Sequence, residues 1–212
     1  MPPPIGSLEP DDLHNQALVA NVHPPDWKNP SPNGRYNLVV VGAGSAGLVA
    51  ASIAAGLGAK VALIERYLMG GDCLNVGCVP SKVLVNAARL INTAKRAAEF
   101  SDAISNNDQI DFDRIMDKVR QVRSSVSVID SADRYTKLGV DIFFGSASFT
   151  SHNTVDVDGI TLQFSKAVIC SGTRPASPNV PGLAEAGYLT NENIFSITKL
   201  PRRLGIIGAG PI

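Results

Sequence analysis

The feature that most constrains this chain is a glycine turn, Gly42-Ala43-Gly44-Ser45-Ala46-Gly47, set between an apolar run and an alanine-rich one. The pattern predicts a strand over Asn37–Val41, a helix over Ser45–Leu57 and a second strand over Lys60–Glu65. This is a β-α-β unit of about thirty residues, whose consecutive apolar positions suit strands buried on both faces. In such a unit the first glycine permits the tight turn. The second lets a pyrophosphate approach the backbone, and the third brings helix and strand together, while the helix amino terminus offers free N–H groups to an anion. Glu65 ends the second strand, where a carboxylate can accept from ribose hydroxyls and would disfavour a 2′-phosphate. Residues 38–59 carry no charge over 22 positions, about the length of a membrane span, but five glycines interrupt them and the span reading fails.

Composition narrows the function class. Lys+Arg and Asp+Glu stand at 19 each, so no basic excess points to nucleic acid or an anionic membrane surface. Hydrophobic residues make up 44% and charged ones 18%, enough apolar material for a buried core. No basic, apolar leader follows Met1, and three cysteines are too few for a disulfide scaffold, so a cytoplasmic location is expected.

The chain divides unevenly. Residues 1–34 hold eight of the fourteen prolines and read as a loosely attached extension with at most a short helix around Asp11–Val19, pinned through Trp27. Beyond the first unit, Leu84, Ala87, Ala88, Ile91, Ala94 and Ala98 mark one helical face. Phe112, Ile115, Val119, Val122, Val126 and Ile129 mark another, behind a capping Asp111. Short strands are expected over Asp141–Phe144 and within Thr154–Ile169, with turns at Ser151-His152-Asn153 and Asp158-Gly159. Arg203–Gly210 repeats the opening as a strand running into Gly-Ala-Gly.

The chemistry-bearing motif is Cys73-Leu-Asn-Val-Gly-Cys78, followed by Val-Pro-Ser-Lys82. A zinc site would want a second pair of ligands, and only Cys170 and three scattered histidines remain. Two core cysteines are the plainer alternative. A helix starting here would lower the thiol pKa, and Lys82 lies one turn beyond Cys78. Such thiols can cycle between dithiol and disulfide and can attack disulfides or soft metals.

Taken together, GAGSAG, the strand-ending glutamate and GGDCLNVGCVPSK over 70–82 resemble the flavoprotein disulfide reductases. These are FAD-dependent pyridine nucleotide-disulfide oxidoreductases, among them mercuric reductase, dihydrolipoamide dehydrogenase and glutathione reductase. CSGTRP over 170–175 resembles the segment at that family's domain junction, and Gly208-Ala-Gly210 the start of its second glycine motif. The resemblance implies an α/β fold: a Rossmann-like FAD-binding domain with a β-meander over residues 35–177. Residues 178–212 would be the start of an NAD(P)-binding domain, cut short.

By the same resemblance Cys78 would lie next to the flavin in a charge-transfer pair, Cys73 would meet substrate, and Lys82 would stand near the flavin's reactive edge. FAD would rest on Gly42, Gly44, Ser45, Ala46, Gly47, Glu65, Arg66, Gly71, Asp72, Ala147, Ser171 and Gly172. Electrons would run from NAD(P)H through FAD and the Cys73–Cys78 disulfide to a disulfide or Hg(II), a mercuric-reductase-like acceptor being favoured by CVPSK. A homodimer formed through a further carboxyl-terminal domain is implied as well. With the second nucleotide site incomplete, the 212-residue chain is expected to be an FAD-binding portion without turnover; a non-redox nucleotide-binding domain is the remaining alternative. Two departures stand out. Asp72 replaces a common Thr, placing a carboxylate where it would repel phosphate and raise the Cys73 pKa. Cys170 replaces a small alanine and reads as an inert thiol.

Overall fold

The structure, a computed structural model, describes residues 8–100, 110–208 and 210. The expected β-α-β unit is present as β1 (Tyr36–Val41), α2 (Ser45–Gly56) and β2 (Val61–Glu65), preceded by a helix α1 (Leu13–Val22). There follow α3 (Gly71–Val76), α4 (Cys78–Ala98), α5 (Phe112–Ser127), α6 (Ala132–Lys137) and β3 (Val140–Phe144). A meander of β4 (Ala147–Ser151), β5 (Thr154–Val157) and β6 (Ile160–Ile169) comes next, then two single turns, α7 (Leu183–Ala186) and α8 (Asn191–Ile194).

The strands form one sheet in the order β3-β2-β1-β6-β5-β4. β1 pairs in parallel with β2 and with β6, and β2 with β3, while the meander strands pair antiparallel. β6 serves both parts: Ile160–Gln163 pair with β5, and Phe164–Ile169 with β1. The alternation of side chains along a strand explains the apolar runs. Val40, Val61, Leu63, Val140 and Ile142 face a core under the helices. Val39, Ala62, Ile64 and Phe143 face a second core closed by Val155, Val157, Leu162 and Phe164 of the meander.

The amino-terminal segment departs from its expected looseness. Asp12 caps α1 by accepting from Asn15 N–H at 2.8 Å. Leu18 and Val22 are fully buried in the helix-side core, among Leu68, Leu74 and Tyr135. His23 stacks on Phe144 at 3.8 Å, Trp27 meets the same ring edge-on, and Asn29 bonds both the N–H and the carbonyl of Phe144 at 2.8 Å. Pro10 therefore leads into a core helix and Pro24 and Pro25 out of it, and the arm reading is corrected for the described residues.

Two further expectations change. The buried stripe of α5 is Met116, Val119, Arg120, Arg123 and Ser127, rotated from the purely apolar one, because α1 covers that side and its polar groups engage the arginines. Residues 203–208 form no strand and lie exposed. A strand needs a neighbour to satisfy its backbone groups, and no described strand pairs with them.

Candidate functional site

The carboxyl ends of β1, β2, β3 and β6 lie along one edge of the sheet, where α/β folds bind ligands. Gly42 turns there with φ +102°, and a Cβ on it would fall 2.3 Å from the Cys170 carbonyl oxygen. Gly47 is equally constrained, since its Cβ would stand 1.8 Å from the Gly42 oxygen. Gly44 differs: a Cβ there would meet only Gly71 Cα, at 3.6 Å. Gly44 caps α2 without a side-chain hydrogen bond, and the first helical N–H to find an acceptor is Leu48, on the Gly44 oxygen at 2.9 Å. The N–H groups of Ser45, Ala46 and Gly47 thus have no helical acceptor, which makes a cradle for a phosphate.

Glu65 braces this turn. One oxygen accepts from Ala43 N–H and the other from Tyr67 N–H, each at 2.8 Å, leaving lone pairs for a ribose hydroxyl. Gly145 N–H reaches the Glu65 carbonyl at 2.9 Å, which sets Ala147, at the head of β4, just past the same strand edge. Ala147 packs on the meander-side core, Arg66 is exposed beside Glu65, and Ser171 and Gly172 are exposed just past β6.

The cysteine segment is built onto the glycine turn. Gly70 N–H donates to the Ala43 carbonyl at 2.8 Å, and Gly44 and Gly70 form an isolated parallel bridge. Gly71, with φ +55°, comes so close that a Cβ would fall 2.6 Å from Gly44 Cα. α3 carries Cys73 in its first turn and stops at Gly77, and α4 restarts at Cys78. Cys78 and Ser45 of the glycine turn both act on the Cys73 thiol, in opposite directions. Both cysteines are free thiols, Cys73 half-buried and Cys78 exposed.

The lowering expected of a thiol at a helix start does not prevail at Cys73, whose pKa is raised, the direction expected from Asp72 but from other causes. Its hydrogen bond with the Cys78 thiol holds it above the ordinary 9.0, burial adds to this, and the Ser45 bond pulls the other way. Asp72 is not among the causes; its side chain is exposed, and its charge is felt by Arg174, which pairs with Glu192 at 2.7 Å. Lys82 is exposed on α4, and with Cys78 it lines a groove of about 750 Å³ between α4 and α5, walled by Val83, Ala87, Leu90 and Val122. Cys170 packs against the helix-side core, its N–H on the Val41 carbonyl at 2.7 Å. No group of three or more His, Cys, Asp or Glu poised to hold a metal occurs among the described residues.

Sequence reasoning missed Asn15, His23, Asn75 and Arg123, which join the amino-terminal segment to the cysteine loop. The available signal was the spacing of Asn15, Leu18, Val19 and Val22 behind the cap Asp12, one face of a helix.

The sheet order, the glycine turn and the helices around it define a Rossmann-like α/β fold, with two thiols beside that turn. Residues 36–212 match the family described as pyridine nucleotide-disulphide oxidoreductase, and the chain belongs to that family. It is 35% identical to a mercuric reductase of Bacillus cereus over 188 residues, 87% of this chain and 29% of that protein. A dihydrolipoyl dehydrogenase of Acholeplasma laidlawii is 33% identical over 185 residues, 84% of this chain and 54% of that protein. Among solved structures, a Cu(II) complex of a cysteine-to-serine mutant of the HOCl-induced flavoprotein disulfide reductase RclA from Escherichia coli superposes with a TM-score of 0.66 at 24% identity. That match covers 80% of this chain and 36% of the other, and it supports the fold. The chain thus spans about half or less of the length of these relatives. No helix among the described residues is long and apolar enough to cross a membrane.

Proposed function

We propose that this chain supplies the FAD-binding segment, residues 35–177, and the redox-active cysteine pair of a reductase that moves electrons from NAD(P)H to a disulfide or Hg(II). Residues 178–212 would open the pyridine-nucleotide segment. The observation that carries the reading is the joining of the cysteine segment to the glycine turn, with Gly70 N–H on the Ala43 carbonyl at 2.8 Å and Gly71 packed against Gly44. FAD, when bound, supplies a two-electron carrier that accepts hydride from a pyridine nucleotide.

The residues present fit that cofactor. Ser45, Ala46 and Gly47 N–H groups would hold the pyrophosphate, Gly44 leaves it room, and Glu65 would accept from ribose. Ser171, Gly172, Gly71 and Ala147 would line it from the neighbouring strand ends. Lys82 would favour negative charge beside Cys78. The cysteine pair then exchanges electrons with the acceptor. As a dithiol, Cys73 and Cys78 give up two electrons and two protons and close an S–S bond. An acceptor disulfide takes both electrons and both protons and leaves as two thiols; Hg(II) takes the electrons alone and leaves as Hg(0), the protons passing to solvent. Kinship with mercuric reductases and with dihydrolipoyl dehydrogenases supports both acceptor classes.

The test separates cofactor space from folding space. Gly44→Ala adds a Cβ that meets only Gly71 Cα at 3.6 Å, at a backbone φ of −77° that alanine tolerates, so the variant should fold yet bind FAD at least about tenfold more weakly, read by flavin fluorescence quenching. Unchanged FAD affinity in that variant would refute the placement.

A further inference from the structure

We propose that Arg123 and Asn15 are positioning residues for the Cys73–Cys78 pair, through which α1 holds the end of α3 in the register that lets the two sulfurs close a bond. This rests on the reading of that pair as a redox couple.

The break between α3 and α4 is what needs holding. The two cysteines stand on different helices, divided by Gly77, and the last carbonyls of a helix lack intrahelical donors. Arg123 of α5 supplies one: its Nη1 donates to the Asn75 carbonyl at 3.1 Å, inside the intercysteine loop. Its Nη2 donates to Asn15 Oδ1 at 2.7 Å. Asn15, Asn75 and Arg123 are all buried.

The loop is tied at its other end as well. Asn75 Nδ2 donates to the carbonyls of Met69 and Gly71, at 3.1 and 2.9 Å, and Met69 N–H donates to Val22 at the end of α1, at 3.1 Å. The amino-terminal helix therefore grips the segment before Cys73 and, through Arg123, the residue midway to Cys78. Leu18 and Val22 already bury α1, so packing alone does not call for a guanidinium in this interface, where its desolvation is costly.

The consequence is redox, since a disulfide closes only within a narrow range of Cα and Cβ separations. Holding the end of α3 raises the effective concentration of one thiol at the other, and releasing it favours the open dithiol. When the bond forms, Cys73 and Cys78 lose two electrons and two protons, and in a glutathione buffer one glutathione disulfide takes them up as two glutathione thiols.

The experiment equilibrates the full chain in glutathione buffers of graded ratio and reads the disulfide fraction by alkylation and mass. Arg123→Met and Asn15→Leu should each lower the disulfide-forming equilibrium constant about tenfold, a midpoint about 30 mV more oxidising. Arg123→Lys, whose single amine cannot span both oxygens, should shift the same way and serves if the methionine variant does not fold. Ile142→Ala, which weakens the same core away from the relay, should keep the wild-type midpoint. Variants that titrate with the wild type, or an Ile142→Ala shift equal to theirs, would overturn this inference alone. A wild-type chain that forms no Cys73–Cys78 bond at any ratio would overturn the redox reading as well.

Discussion

At the scale of single residues, two titrations report the site and its support. Cys73 carries a thiol pKa raised first by its bond to Cys78 and then by burial, and lowered by Ser45. Alkylation follows the thiolate, so Cys78→Ala should speed modification of Cys73 at pH 8 and Ser45→Ala should slow it, each by about twofold to fivefold. Equal rates in both variants would count against the hydrogen bonds assigned here. His23 behaves in the opposite sense. Burial lowers its pKa below the ordinary 6.5, outweighing the Tyr67 carbonyl and Glu65, and because a carbonyl only accepts, Nδ1 carries the proton of the neutral ring. Below pH 6.5 the unfolded chain takes up a proton that the folded ring resists. Stability should therefore be complete above that pH and fall as the pH drops through the lowered value, by at most about 1.4 kcal/mol per pH unit. Urea melts of wild type and His23→Phe between pH 7 and 5 check this, with the variant losing that part of the slope.

At the scale of elements, α1 decides between a core helix and an appended arm. Leu18 is fully buried, so Leu18→Ala should cost about 2–5 kcal/mol in chemical denaturation, whereas an arm would lose nothing measurable. The parallel strands were legible from the sequence because both faces of LVVV and VALI are buried, which leaves an unbroken apolar run. The glycine turn was legible because Gly42 and Gly47 answer close backbone approaches that no side chain could meet. α1 was hidden because prolines surround it and its decisive contact, Arg123 with Asn15, joins residues 108 apart in the chain. The run at Leu204–Ile207 had the composition of a strand, but pairing is not a property of the run itself. The cysteine spacing disclosed the candidate pair, while the direction of the Cys73 pKa depended on another sulfur brought beside it by the helix break.

At the scale of the whole molecule, the sheet edge, the cradle and the cysteine loop form one continuous construction. Glu65 holds Ala43, Ala43 holds Gly70, and α3 springs from Gly71 against Gly44, so a cofactor in the cradle and a dithiol on α3 would be positioned by the same backbone. That is the central claim, and the electron capacity of the protein tests it. The measurement is an anaerobic dithionite titration of the oxidised chain loaded with FAD, followed by visible absorption. Wild type should take up two equivalents of dithionite, one for the flavin and one for the Cys73–Cys78 bond, and Cys73→Ser should take up one. A wild-type chain that binds FAD but consumes a single equivalent, the same as Cys73→Ser, would contradict the account.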